Sequence, residues 1–410
     1  MTSDVAGTRS GLPAHERISA ARRWAMLAVG TAASAASVVM VTGPAFLIPV
    51  LHDRHGMTLA QAGLVASAPM TGMMLALVAW GTVVDRRGER FALLTGLGTA
   101  TLAGALATQV GGFGLMAAAL FVAGAAGAST NSASGRVVVG WFPPERRGLA
   151  MGIRQTGQPI GVGLGAATIA VLAERHGAAS ALWVPVVAGA VALVGVALVV
   201  LDPPRPERSA TDPVRNPYRE DGFLARVHGA SVLLVVPQFL VWTFGLTWLV
   251  DHLGWDPGPA GLVIAGTQLV GAAARIGSGH LSDLVGSRMR PMRTIAALAA
   301  ATMLALGVAA SFDGPVATTL AVLLLVVASA VTVADNGLAF TAVAERAGPF
   351  WSGRALGVQN TAQHLVASAV PPLAGLTITV WGYGATYAVA AAMPLLALAV
   401  VPVRQERAFG

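Results

Sequence analysis

The chain has 410 residues, of which 55% are hydrophobic and only 11% charged, with a net charge of +7 and a mean hydropathy of +0.69. A soluble domain carries about 25% charge, so this composition excludes an ordinary water-exposed surface and implies one that faces lipid. With no cysteine there is no disulfide, thiolate zinc site or cysteine nucleophile, and no cofactor is implied. Helices are the expected spanning form, because every backbone polar group must be satisfied internally in hydrocarbon. At about 20 apolar residues per crossing, the chain holds twelve predicted spans, at residues 24–51, 58–83, 91–110, 113–141, 147–173 and 178–201, then 228–250, 258–282, 292–311, 314–343, 354–378 and 383–402.

The first span follows Arg22 and Arg23, a pattern shared with secretory leaders. Its apolar run of about 28 residues is too long for a leader core, so it is expected to stay as the first membrane helix. All 26 basic residues are arginine. Of these, 20 fall on one side of the predicted layer and only Arg54 and Arg175 on the other; Arg136, Arg154, Arg275 and Arg354 lie within spans or at their ends. Arginine-rich loops stay in the cytoplasm. Both termini are therefore expected there, and the basic charge belongs to loops at a bilayer rather than to a nucleic-acid surface. The Ala, Gly and Arg load is that of a high-GC bacterial genome, which makes the expected location the bacterial inner membrane. Residues 1–23 and 403–410 form short tails, 24–201 and 228–402 form two six-span bundles, and the Pro- and Arg-rich stretch 202–227 reads as a solvated linker.

The two bundles repeat one another. Ala62-Gly63-Leu64-Val65 recurs as Ala260-Gly261-Leu262-Val263, and Gly81, Asp85, Gly88 and Arg90 recur 198 residues later as Gly279, Asp283, Gly286 and Arg288. Gly148, Ala150, Gly152, Thr156 and Gln158 recur 205 residues later as Gly353, Ala355, Gly357, Thr361 and Gln363. Parallel repeats of this kind place a binding site between the halves, near the middle of the bilayer.

The turn Gly81-Thr-Val-Val-Asp85-Arg86-Arg-Gly88-Glu-Arg90, with its repeat Gly279-His-Leu-Ser-Asp283-Leu-Val-Gly286-Ser-Arg288, resembles the signature loop of the major facilitator superfamily, and the resemblance covers the whole chain in span count and repeat. It implies an all-α membrane fold of two six-helix bundles, transport of a small molecule by alternating access, and a gating role for the loop. In that role Asp85, and by symmetry Asp283, latches one conformational state by receiving N–H groups of a neighbouring helix start. Gly81, Gly88, Arg86 and Arg90 belong to the same device; a turn that only fixes topology is the other reading.

Two family patterns are departed from. The fifth span carries Gly157, Gly161 and Gly165 with Pro159, a partial match to the antiporter motif that reads as close packing. The fourth span places Leu120 where proton-coupled relatives carry an Arg before Gly124 and Gly127.

Charges inside spans are the leading site candidates, because they are expensive in a bilayer. Arg275, eight residues before Asp283, lies about 12 Å deeper at about 1.5 Å per residue. Its surroundings resemble the eighth span of nitrate/nitrite porters and of the oxalate–formate exchanger, in which an Arg binds the anion. The nitrate porters' second Arg is Leu77 here, and the exchanger's Lys has no counterpart in a lysine-free chain. Pairing with a nearby acid is the structural reading of Arg275. Asp335 is the one acid near mid-span, a candidate proton carrier or a salt-bridge partner of Arg275 or Arg354. His364, Gln359, Asn360 and Gln363 cluster in the eleventh span; His364 is a titratable partner or a packing residue. Gln155, Gln158, Gln238, Trp242 and Trp248 are candidate cavity lining. Arg136, Arg154 and Arg354 lie close enough to the cytoplasmic side to snorkel, which suits gating more than substrate contact.

The function expected is secondary transport of a small organic or inorganic anion by a monomer, with proton symport left open. Efflux of an amphipathic cation, with Asp335 as counter-ion, is the alternative. A membrane enzyme would need a convergent catalytic constellation, and the sequence offers none; nor does it offer the appended soluble domain of a receptor.

Overall fold

A computed structural model describes residues 16–205 and 215–407. The spans are α1 (Ala20–Asp53), α2 (Ala60–Arg87), α3 (Glu89–Ala107), α4 (Phe113–Trp141), α5 (Pro144–His176), α6 (Ala178–Val199), α7 (Phe223–His252), α8 (Gly258–Val285), α9 (Met289–Ala309), α10 (Pro315–Ala347) and a last stretch, Ser352–Gln405. That stretch breaks at Gly382, which has φ 79° and no helical conformation. It is therefore two spans, α11 (352–381) and α12 (383–400), bringing the eleven continuous stretches to twelve spans among the described residues. Leu198, Leu262 and Leu269 are each about 75% exposed on their outer faces; such apolar exposure is stable only against lipid.

Two compact units emerge. The first holds α1 to α4, α5 from Thr156 onward, α6, and residues 347–361 at the start of α11. Its core packs Leu51, Leu120 and Ile169. The second holds residues 144–155 at the start of α5, α7 to α10, and the rest of α11 with α12. Its core packs Leu325 with Trp248 and Tyr387. The opening turns of α5 and α11 thus belong to a different unit from the rest of their helices.

Local chemistry explains several boundaries. At α2 the Thr58 hydroxyl accepts the Gln61 N–H (3.2 Å) and the Gln61 side chain accepts the Thr58 N–H (3.0 Å), a reciprocal capping box. The linker is not simply a solvated tether: its first residues, Asp202 and Arg205, are hydrogen-bonded to the α2–α3 turn. Two breaks lie inside spans at repeat-related positions. The helical run in α4 stops at Gly127 and resumes at Ser129; in α10 it stops at Val331 and resumes at Asn336. The α10 break is the longer, and Asp335 is its last residue.

Candidate functional site

The end of α2 meets the start of α11 inside the first unit. Gly353 N–H donates to Asp85 Oδ1 (2.8 Å), and Arg354 N–H (3.0 Å) and Nε (2.9 Å) donate to Oδ2. A Cβ on Gly81 would overlap the Gly353 backbone, so glycine at both positions lets the helices approach closely enough for these bonds. Beneath them Arg136, from the end of α4, donates to the Pro349 carbonyl and the Ser352 hydroxyl (both 2.7 Å) and pairs with Glu89 (2.7 Å). Arg205 joins Glu89 at 3.0 Å.

The second unit repeats the arrangement with α8 and the start of α5. Gly148 N–H (2.9 Å) and Leu149 N–H (2.8 Å) donate to the two Asp283 oxygens. A Cβ on Gly148 would overlap the Gly279 carbonyl and the Ser282 hydroxyl. Arg288 donates to Asp283, to Ser282 Oγ (2.8 Å) and to the Pro144 carbonyl (2.6 Å), and lies 3.3 Å from Glu345. An aspartate on helix-start N–H groups is favourable both as hydrogen bond and as charge against the helix dipole.

The other predicted gating residues divide. Gly88, with φ 101°, forms the turn. Arg90, the repeat counterpart of Arg288, points elsewhere, its guanidinium donating to the Ala197 carbonyl (2.7 Å). Arg86 is exposed. Snorkelling describes neither Arg136 nor Arg154, which are 5% and 4% exposed. Arg136 is enclosed by acid, carbonyl and hydroxyl, and Arg154 packs over the Phe340 ring and against Gln155. Protein packing, not headgroup water, satisfies these cations.

A polar centre occupies the second unit. Arg275 and Asp335 are each 1% exposed and close enough for their charges to interact, yet no direct ion pair joins them among the described residues. Arg275 Nη2 and Asp335 Oδ2 are both buried without a hydrogen-bond partner. The guanidinium lies 5.7 Å from the Trp242 ring centre, a cation–π arrangement. Among the described residues the expected ion pair of Asp335 with Arg275 is not formed, and Arg354 is held by Asp85. Next to Asp335, Asn336 Nδ2 donates to Gln238 Oε1 (3.0 Å), and Gln363 Nε2 donates to Asn336 Oδ1 (3.2 Å) and Ser231 Oγ (2.7 Å). Ser278 Oγ donates to the Ala334 carbonyl (2.6 Å), one that the α10 break leaves outside a regular helix.

His364 is half-buried in this unit, one residue from Gln363. Gln158 and Gln359 belong to the first unit; Gln359 is fully buried and Gln158 half-buried. The structure therefore gathers Arg275, Asp335, Trp242 and Gln363, and adds Ser231 and Asn336. Ser231 carried no sequence signal beyond being a hydroxyl in an apolar run. Asn336 was missed, although it adjoins Asp335 in the sequence. No group of three His, Cys, Asp or Glu side chains able to hold a metal lies among the described residues.

Twelve apolar spans in a twofold sequence repeat, with an aspartate bound to helix N–H groups in each unit, mark a multi-pass membrane protein. The family model described as Major Facilitator Superfamily matches residues 26–371. An "uncharacterized MFS-type transporter" of Mycobacterium tuberculosis strain H37Rv is 45% identical over 384 residues, covering 93% of this chain and 85% of the relative. The chain belongs to the major facilitator superfamily. Its fold is similar to the E. coli fucose:proton symporter (TM-score 0.74, 16% identity, 93% of this chain and 98% of that one). It is also similar to a human organic anion transporter (TM-score 0.72, 16% identity, 92% and 99%).

Proposed function

We propose that the protein is a proton-coupled secondary transporter of a small anion, working by alternating access in a bacterial inner membrane with both termini in the cytoplasm. Two sequence halves, 24–201 and 228–402, supply the moving parts. The observation that carries the reading is the juxtaposition of Arg275 and Asp335, each buried with one polar atom unpartnered.

The chemistry of this pair is asymmetric. Arginine stays charged, whereas a carboxylate can be neutralised by a proton. With Asp335 ionised, the two charges compensate one another. With Asp335 protonated, the Arg275 charge is uncovered, and its planar fork suits a carboxylate or another planar anion. Proton and anion then bind cooperatively, which is the requirement for symport. A cationic substrate would always meet the fixed charge of Arg275 beside Asp335, which disfavours efflux of cations. At 1% exposure Arg275 is enclosed, so substrate reaches it in the course of the rocking motion. Trp242 orients the guanidinium, and the Gln238–Asn336–Gln363 chain holds the segment that bears Asp335. Gln158, Gln359 and His364 are proposed as further lining residues. Asp85, Asp283, Arg136 and Arg354 are proposed to close the cytoplasmic side.

The test is uptake into proteoliposomes across panels of small carboxylates, inorganic anions and lipophilic cations, with and without an inward proton gradient. Anion uptake that the gradient accelerates is expected. Arg275→Ala abolishes it while leaving the protein folded, and Asp335→Asn abolishes the acceleration. Full anion uptake by folded Arg275→Ala refutes the site, and gradient-driven accumulation by Asp335→Asn refutes the coupling.

A further inference from the structure

α3 and α9 both begin directly after the signature turns, with Gly88 and Arg288 at the N-cap positions, and neither of these residues offers a side-chain acceptor; at α9 the Ser287 hydroxyl takes the Arg290 N–H (3.0 Å). The first turn of a helix leaves N–H groups without backbone partners. In each unit a carboxylate from just past the sixth span of that half supplies the acceptor. Asp202 Oδ1 accepts the Arg90 N–H at 2.7 Å. Its carboxylate lies against Gly88, where a Cβ would stand 2.9 Å from both oxygens. Glu406 accepts the Arg288 N–H, the Met289 N–H (3.1 Å) and the Ser287 hydroxyl. Asp202 and Glu406 are 204 residues apart, within the offsets of 198 to 205 that relate the two halves.

Both caps lead to a latch. Three residues after Asp202, Arg205 donates to the Val84 (2.7 Å) and Asp85 (2.8 Å) carbonyls, tying off the end of α2 that carries the Asp85 carboxylate. Glu406 fixes the backbone of Arg288, whose guanidinium holds Asp283 toward the α5 start. We infer that Asp202 and Glu406 are positioning residues that set the strength of the two latches, so that the chain following each six-helix half regulates the gate of its own half. The inference rests on the alternating-access reading above.

The cysteine-free chain provides the assay. Ala355 in the α11 start and Ala150 in the α5 start are both fully buried and are substituted singly, Ala355→Cys and Ala150→Cys, as reporters. Maleimide labelling of the full chain in detergent then measures latch opening. Asp202→Ala should raise labelling of the Ala355→Cys reporter, and Glu406→Ala that of the Ala150→Cys reporter, by about 2- to 30-fold, the range for losing a helix cap. The exchanges Asp202→Glu and Glu406→Asp should restore the parent rate, because they keep the charge. Labelling that stays at the parent rate in the alanine variants overturns the proposal. So does a rise that the charge-conserving exchange fails to reverse, since general loosening behaves that way. If an alanine variant does not yield folded protein, Asp202→Asn and Glu406→Gln are read on the same scale, with a smaller rise expected and no rise overturning. The readout needs no substrate, so it stands or falls separately from the identity of the solute.

Discussion

Replacing Asp85 by asparagine tests the latch with almost no change in shape. The carboxylate, with 2% side-chain exposure, takes three hydrogen bonds: from Gly353 N–H, Arg354 N–H and Arg354 Nε. An amide oxygen can keep the Gly353 bond, but its NH2 group then faces two donors. The lost bond from Arg354 N–H, a hydrogen bond to a charged group, is worth about 1.5–3 kcal/mol. The ion pair to the Arg354 side chain, which is 29% exposed, adds about 1 kcal/mol at most after screening. Arg354 retains its stacking on Trp351 at 3.7 Å and its bond to the Phe350 carbonyl, so the cation is not stranded. The sum, about 2–4 kcal/mol, lowers the latched-to-open ratio by about 30- to 700-fold. Maleimide labelling of the Ala355→Cys reporter reads that ratio. Unchanged labelling in folded Asp85→Asn protein would refute the claim that these bonds hold the helices together.

Gly148→Ala should destabilise the second unit, because its Cβ has the Gly279 carbonyl and the Ser282 hydroxyl in the way; a loss of about 1–3 kcal/mol in unfolding is expected, and an unchanged unfolding midpoint contradicts the close approach. Glu89 and Glu345 should differ: Glu89 is fully buried between Arg136 and Arg205, so Glu89→Gln costs about 3–5 kcal/mol. Glu345 has 19% side-chain exposure and its partner Arg288 keeps Asp283, so Glu345→Gln costs about 1 kcal/mol or less; thermal unfolding ranks the two. Tyr218, in the linker, donates or accepts a hydrogen bond with His228 at 3.0 Å, and burial pushes its phenol up to about 12. Its proton is bound more tightly in the folded protein, so this contribution to stability is intact below pH about 10 and is lost as pH rises toward 12. The difference absorbance titration against Tyr218→Phe should therefore show its phenolate step near pH 12 rather than 10.

The class of fold was legible because bilayer thickness and the arginine distribution act on long stretches of sequence, where local ambiguity averages out. That Asp85 and Asp283 hold matching positions was legible from the repeat of Gly81 and Asp85 in Gly279 and Asp283 together with the resemblance of that turn. Their partners, Gly353 and Gly148, were visible as a second repeat, but nothing in spacing joins one repeat to the other. The α10 break escaped notice because it uses neither Gly nor Pro: Thr332, Val333, Ala334 and Asp335 continue a helical pattern by composition. Arg136 and Arg154 were misplaced for a different reason. Distance from a predicted span end fixes depth, but not which face of the helix is covered by protein, and each cation is covered in part by groups distant in sequence, Glu89, Pro349 and Ser352 at Arg136 and the Phe340 ring at Arg154.

The two latches share their aspartates and helix starts but not the order of charge around them. In the first unit the acid, Glu89, stands at the start of α3 and the arginine, Arg136, at the end of α4. In the second the arginine, Arg288, stands at the start of α9 and the acid, Glu345, at the end of α10. In both, an arginine reaches the carbonyl four residues before the aspartate-bound glycine, Pro349 in one and Pro144, the first residue of α5, in the other. The preserved feature is thus the geometry of the contact, a carboxylate on helix N–H groups with a guanidinium on the preceding carbonyl. Either helix can supply the cation as long as the other supplies its counter-charge, because what must be met is the set of exposed donors and acceptors at a helix start.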